Sequence, residues 1–351
     1  MPSATIVHAA AFAVGALVGG GVVSAVSARR QHQLPAVAVP GKAHVPSQPV
    51  VDVKPGGVTQ ISAQVASRVS VLPPVLNENP GPVSDQLARI AYVAGYDRRL
   101  RHPAWTAEHL TLASLGKSTL VSGPTKDERG DRQNSQFTED QSIPAMFRAK
   151  LQDYFRSGYD RGHMVPAADC KISQAAMNET FLLTNIAPQV GVGFNRHYWA
   201  YVEDWCRRLT STFADVYVFT IPLYLPKLES DGKWRITHEV IGSPPNVSVP
   251  THFAKVVLTS RPSSPSTPDV REISTGAFVL PNAVIPDEAK LESFVVPIEA
   301  VEKAAGLTLF SDAIKQQSKH ICKTTKCEVI VRRFDDAQKN SQTRKAISGP
   351  R

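Results

Sequence analysis

Cysteine is scarce in this sequence: Cys170, Cys206, Cys322 and Cys327 are the four present in 351 residues. So few, so widely scattered, exclude the disulfide framework on which small secreted domains depend. A zinc site is excluded as well, because no second Cys or His pair at metal-ligand spacing accompanies Cys322 and Cys327. Those two are left as free thiols or one local disulfide. Internal repeats are absent, which removes solenoids and propellers. Charge is missing from residues 1–28, which hold no Asp, Glu, Lys or Arg. The run from Ala4 to Val26 is apolar or small and long enough to span a bilayer. It lacks both the basic start of a secretory signal and the arginines of an amphipathic mitochondrial presequence. It therefore reads as an anchor or targeting segment whose address composition leaves open. Arg29 and Arg30 directly behind it weigh against export of the C-terminal domain.

Residues 29–84 are rich in Pro, Val, Ser and Gln, with few aromatics and no period, and read as a flexible tether. The 27 prolines crowd residues 35–84 and recur over 244–268, so much of the proline marks connections. A net charge of +8 suits an anionic partner, though it suits an ordinary basic protein equally well. The folded domain is expected over 85–312. Apolar runs at 216–225, 252–259 and 277–280 predict strands, and 196–209 and 295–305 predict helices. This irregular mixture fits an α+β domain with a largely antiparallel central sheet flanked by helices, and not βαβ repeats. Residues 313–351 are basic around one apolar patch, Cys327 to Val331, and read as a partly ordered extension that adds affinity for a polyanion.

The chemistry concentrates between Gly158 and Leu209. Asp160, Arg161, Gly162 and His163 place a titratable imidazole beside a fixed cation, a pair suited to attack on a phosphodiester. By itself the tetrapeptide reads more readily as a surface network. Its context is Thr184 to Gln189, then Phe194, Asn195 and a helix whose Trp199, Val202, Cys206 and Leu209 form a buried stripe. Asn195 at the start of that helix has two readings, an N-cap or a metal ligand. Glu203 follows by about 80° and roughly 12 Å along the helix. It is either an exposed carboxylate or an acceptor for metal-bound water.

These segments, YDRGHMVPAAD and FNRHYWAYVED, resemble the DNA/RNA non-specific endonucleases of the ββα-metal group, and most closely its mitochondrial endonuclease G branch. The similarity extends over about 75–312 and includes GYDRRLRHPAWTAEHLT, PTHFAK and VPIEAVEKAAGL. The resemblance implies the ββα-metal nuclease fold. It implies His163 as general base, Asn195 as the single protein ligand to magnesium, with manganese able to substitute, and Glu203 as support for metal-bound water. It also implies Arg161 beside the scissile phosphate, with Arg132 a weaker second contact, and Asp160 orienting the motif. One departure stands out: Thr220, Ile221, Pro222 replace the family's TGP, which puts a turn there in doubt.

The implied activity is magnesium-dependent, sequence-nonspecific hydrolysis of DNA and RNA to 5′-phosphate and 3′-hydroxyl ends. The implied setting is a homodimer in the mitochondrial intermembrane space or inner membrane, held to the membrane by the N-terminal segment if uncleaved, with secretion as the alternative address. The alternative activity is a membrane-tethered nucleic-acid-binding protein that keeps the fold without turnover.

Overall fold

A seven-strand path runs through the centre of the computed structural model, which describes residues 85–117 and 129–331. In chain order the strands of this sheet and of the DRGH ladder are β1 (Asp85–Ala88), β2 (Tyr92–Asp97), β3 (His102–Leu110), β4 (Asp160–His163), β5 (Ile186–Gln189), β6 (Asp215–Leu223), β7 (His252–Ser264), β8 (Thr267–Pro281), β9 (Val295–Val296) and β10 (Lys319–His320). The sheet order is β1-β2-β3-β6-β7-β8-β9, antiparallel at every step, with β10 added parallel to β8. β4 and β5 form a separate two-stranded ladder. The helices are α1 (Leu151–Tyr154), α2 (Gln174–Thr180), α3 (Trp199–Leu209), α4 (Ile298–Ala305), α5 (Asp312–Gln317) and α6 (Ile321–Thr324). This is the α+β, largely antiparallel arrangement that the sequence predicts. The expectations for residues 1–28 and 29–84, and for 332–351 of the extension, fall outside the described residues.

Alternation along the central strands gives the sheet two buried faces. Val216 and Val218 of β6 and Phe253 and Val257 of β7 pack under α3, against Trp199, Val202, Trp205 and Cys206. Tyr217, Phe219 and Ile221 with Ala254, Val256 and Leu258 turn to the other face, against Val301 of α4 and Leu307, Leu309 and Phe310. The predicted stripe Trp199, Val202, Cys206 and Leu209 is buried throughout. So are Tyr201 and Trp205, because α3 is covered on its outer side too. Trp205 Nε1 donates to the Lys326 carbonyl at 3.0 Å, and Arg208 Nη2 to that of Glu328 at 2.9 Å. Cys322 and Cys327 are joined as a disulfide, and Cys327 is buried in the same core, so residues 319–331 of the extension fold back onto the sheet.

Two local expectations change. No turn occurs at Thr220–Pro222: these residues continue β6, and β3 pairs with β6 only as far as Thr220. Pro222 thus lies beyond the end of the β3 pairing, so its missing donor breaks no ladder with that neighbour. Pro262 and Pro268, read as connection, lie in the arms of the β7–β8 hairpin. β7 pairs with β6 only through Ser260, so the arm beyond it has one neighbour and a free outer edge. Because Trp199 is fully buried against the sheet, Trp199→Ala is expected to cost about 3–5 kcal/mol. Thermal unfolding followed by circular dichroism should show a melting point lower by on the order of 10 °C. A shift under about 2 °C would mean α3 is not the helix that seals this face.

Candidate active site

The DRGH residues form β4, paired with β5 so that His163 stands opposite Ile186 and Gly162 opposite Ala187. Glycine is required at 162: a Cβ there would lie 2.0 Å from Gln189 Oε1, whose fully buried side chain crosses the strand. Behind His163, Asn185 clamps the backbone. Its Oδ1 accepts from the Val165 N–H at 3.0 Å and its Nδ2 donates to the Val165 carbonyl at 2.9 Å.

Aromatic rings hold the imidazole. The His163 centroid is 5.3 Å from that of Phe137 and 4.8 Å from that of Phe181, the latter edge to face. Each ring also carries a cation: Arg161 lies 4.5 Å from the Phe137 centroid and Arg132 lies 5.5 Å from that of Phe181. Both arginines are exposed. Burial lowers the His163 pKa to about 3, assisted by the positive charge of Arg132. The ring is therefore neutral at physiological pH, and its Nε2 has no hydrogen-bond partner among the described residues. A neutral imidazole beside two exposed guanidinium groups is equipped to take a proton next to a polyanion.

Asn195 is not an N-cap. It follows a kink at Val192 and Gly193, whose dihedrals are non-helical, and its backbone N–H donates to the Val190 carbonyl at 2.9 Å while its side chain turns to Asp160. Gly193 makes that bend with φ +83°, and Val284 fills the space a side chain would need. Asn195 Nδ2 donates to Asp160 Oδ2 at 2.9 Å, while Arg196 donates to both Asp160 oxygens at 2.7 and 2.6 Å. Burial opposes ionisation of Asp160, but these hydrogen bonds and the charges of Arg196 and Arg161 prevail and hold it below the usual carboxylate range. With its nitrogen fixed in this way, the Asn195 amide keeps Oδ1 as its available donor to a cation.

Glu203 is half-buried one helical turn before Arg207, and its carboxyl makes no hydrogen bond with a described residue. Burial raises its pKa to about 7, against the pull of Lys255 and Arg207. Arg132 acts electrostatically on both His163 and Glu203, so the two share one region. No cluster of three or more His, Cys, Asp or Glu side chains able to hold an ion occurs among the described residues. One neutral amide oxygen with a free carboxylate nearby fits a hard, largely hydrated divalent ion, and not a caged one.

The structure thus gathers His163, Arg161 and Arg132 about two phenylalanines, joins Asn195 to Asp160, and sets Glu203 in reach of Arg132. Sequence reasoning missed Phe137 and Phe181, whose spacing from His163 carries no motif. It also passed over Glu108 and Lys255, which lie within the similar segments GYDRRLRHPAWTAEHLT and PTHFAK without any local sign of a role.

Comparison with known proteins agrees in extent with this region. The sequence profile of the DNA/RNA non-specific endonuclease family matches residues 75–316. "Nuclease 1, mitochondrial" of Schizosaccharomyces pombe is 49% identical over 263 residues, 75% of this chain and 77% of that protein. "Mitochondrial nuclease" of Saccharomyces cerevisiae is 45% identical over 274 residues, 78% of this chain and 80% of that one. Among solved structures, a chain of the EndoG/EndoGI complex superposes with a TM-score of 0.63 at 41% identity, covering 72% of this chain and 95% of its own.

Proposed function

The chain belongs to the DNA/RNA non-specific endonuclease family, and from that membership we propose how this mitochondrial nuclease works: magnesium-dependent, sequence-nonspecific hydrolysis of DNA and RNA to 5′-phosphate and 3′-hydroxyl ends. The observation that carries the proposal is the neutral His163 imidazole, packed against Phe137 and Phe181 with a guanidinium over each of those rings.

His163 takes a proton from the water that attacks phosphorus in line with the departing 3′ oxygen. Its neutrality and the unpartnered Nε2 leave the ring able to accept that proton. Arg161 and Arg132, exposed and stacked on apolar rings, bind nonbridging oxygens and offset the charge that grows on them. Asn195 would hold the metal through Oδ1, oriented by Asp160, and Glu203 would accept from the ion's water. Magnesium, when bound, supplies charge neutralisation and an acidic water for the leaving group. Contacts restricted to phosphate and sugar carry no sequence information, which accounts for nonspecific cutting of both polymers.

The domain limits 85–312, the homodimer, residence in the intermembrane space or inner membrane, and attachment through residues 1–28 belong to the same proposal. So does manganese as a substitute ion. A plasmid-nicking assay is the direct test. Supercoiled DNA and a labelled RNA should both be cut in magnesium, and cutting should cease with chelator. Cutting that continues undiminished in chelator overturns the metal requirement, and binding without cutting in magnesium would favour the tethered, non-hydrolysing alternative.

A further inference from the structure

Charge occurs under α3 where a helix packed on a sheet ordinarily buries only apolar groups. Glu108 of β3 and Lys255 of β7 are 2% and 1% exposed, and Asp169, just after the DRGH strand, is 4% exposed. Lys255 Nζ donates to Thr220 Oγ1 at 2.6 Å and to the carbonyl of Met164, the residue next to His163, at 3.3 Å. The same ammonium stands 5.1 Å from the Trp199 ring centroid, on the helix that carries Glu203. Arg207 Nη1 donates to Asp169 Oδ1 at 2.7 Å.

The Glu108 carboxyl and the Asp169 charge share this buried space, and a proton on one of the two relieves their repulsion. Burial holds Glu108 well above the usual carboxylate range, and the Asp169 charge raises it further, so the proton is on Glu108. With Glu108 neutral, Lys255 and Arg207 face Asp169 and the Glu203 carboxyl, whose pKa of about 7 lets it take up or release the proton that balances the cluster. An unbalanced buried charge costs several kcal/mol, so a neutral cluster is the state such a site adopts. Glu203 feels Lys255 and Glu108 from the sheet, Arg207 from its own helix, Asp169 from the turn and Arg132 from the loop above.

Resting on the site described under Proposed function, we infer that Lys255 is a positioning residue for hydrolysis: from its place against Met164, Thr220 and the Trp199 ring it ties the strand of His163 to the sheet and supplies the counter-charge that favours the carboxylate form of Glu203, with Glu108 as the neutral member of the cluster. Without Lys255 the cluster restores neutrality by protonating Glu203, and the acceptor for metal-bound water is lost.

The test is the pH profile of kcat and KM for plasmid cleavage in saturating magnesium, with Lys255→Met, Lys255→Arg and Glu108→Gln beside the wild type. Lys255→Met is expected to lower kcat about 10- to 100-fold at neutral pH with little change in KM. Its acidic limb should move up by about one pH unit or more, so that part of the activity returns at high pH. Lys255→Arg and Glu108→Gln, which preserve the cation and the neutral member respectively, should keep the limb at its wild-type position. A Lys255→Met limb at the wild-type position overturns the inference, as does a Glu108→Gln limb displaced like that of Lys255→Met. If Lys255→Met fails to fold, infrared spectra of the folded wild type decide the matter. A protonated-carboxyl stretch at neutral pH that Glu108→Gln lacks supports the inference, and its absence from the wild type overturns it. Wild-type chain without magnesium-dependent cleavage would instead overturn the reading of the site itself.

Discussion

Replacing His163 with alanine is expected to reduce phosphodiester cleavage about 10²- to 10⁴-fold, the range that a positioned general base contributes. Binding of nucleic acid should survive, because Arg161 and Arg132 rest on Phe137 and Phe181 and neither is held by the His163 side chain alone. Single-turnover cleavage and a gel-shift titration with non-cleavable duplex separate the two quantities. Wild-type turnover in the variant would remove His163 from the mechanism. The same residue marks the acid limit of stability. Its folded pKa, about 3, lies below the ordinary 6.5, so between those values the unfolded chain binds a proton that the folded chain excludes. The stability carried by the neutral ring is fully present above pH 6.5 and is lost as pH falls toward 3. Glu203 opposes this: its folded pKa is raised from 4.5 to about 7, so its contribution is present below 4.5 and is lost as pH rises through 7. His163→Asn should therefore lose less melting temperature between pH 6.5 and pH 5 than the wild type does. Equal losses would show that the ring is not held neutral by its burial.

Asn195→Ala should lower activity by at least about 100-fold, a loss that excess magnesium does not restore, since the amide is the one protein oxygen proposed for the ion. Asp160→Asn offers the companion measurement. Asp160 orients Asn195 through the 2.9 Å bond from Nδ2 and also pairs with Arg196, so its neutral analogue should leave a weaker and more magnesium-demanding enzyme. Titration of cleavage rate against magnesium distinguishes them: a flat, low plateau for Asn195→Ala and a curve displaced to higher metal for Asp160→Asn. Full activity of Asn195→Ala at saturating magnesium would exclude the amide as the ligand.

The sequence by itself determined the elements that local pattern can carry. Apolar alternation marked β6, β7 and β8, helical spacing marked the buried stripe of α3, and the DRGH and FNRHYWAYVED segments marked His163, Arg161, Asn195 and Glu203. Tertiary structure alone decided the rest, because each remaining feature joins residues that the chain keeps far apart. The hydrogen bond from the Asn195 amide nitrogen to Asp160, 35 residues earlier, exists only once the fold has brought the two segments together. Lys255 and Thr220 meet only through the register of β7 on β6, and Phe137 and Phe181 meet His163 only once β4, β5 and the preceding loop have packed. A one-dimensional period records which face a residue takes. It does not record what arrives from elsewhere to occupy that face, and the pKa values of His163, Glu108 and Glu203 are set by those arrivals.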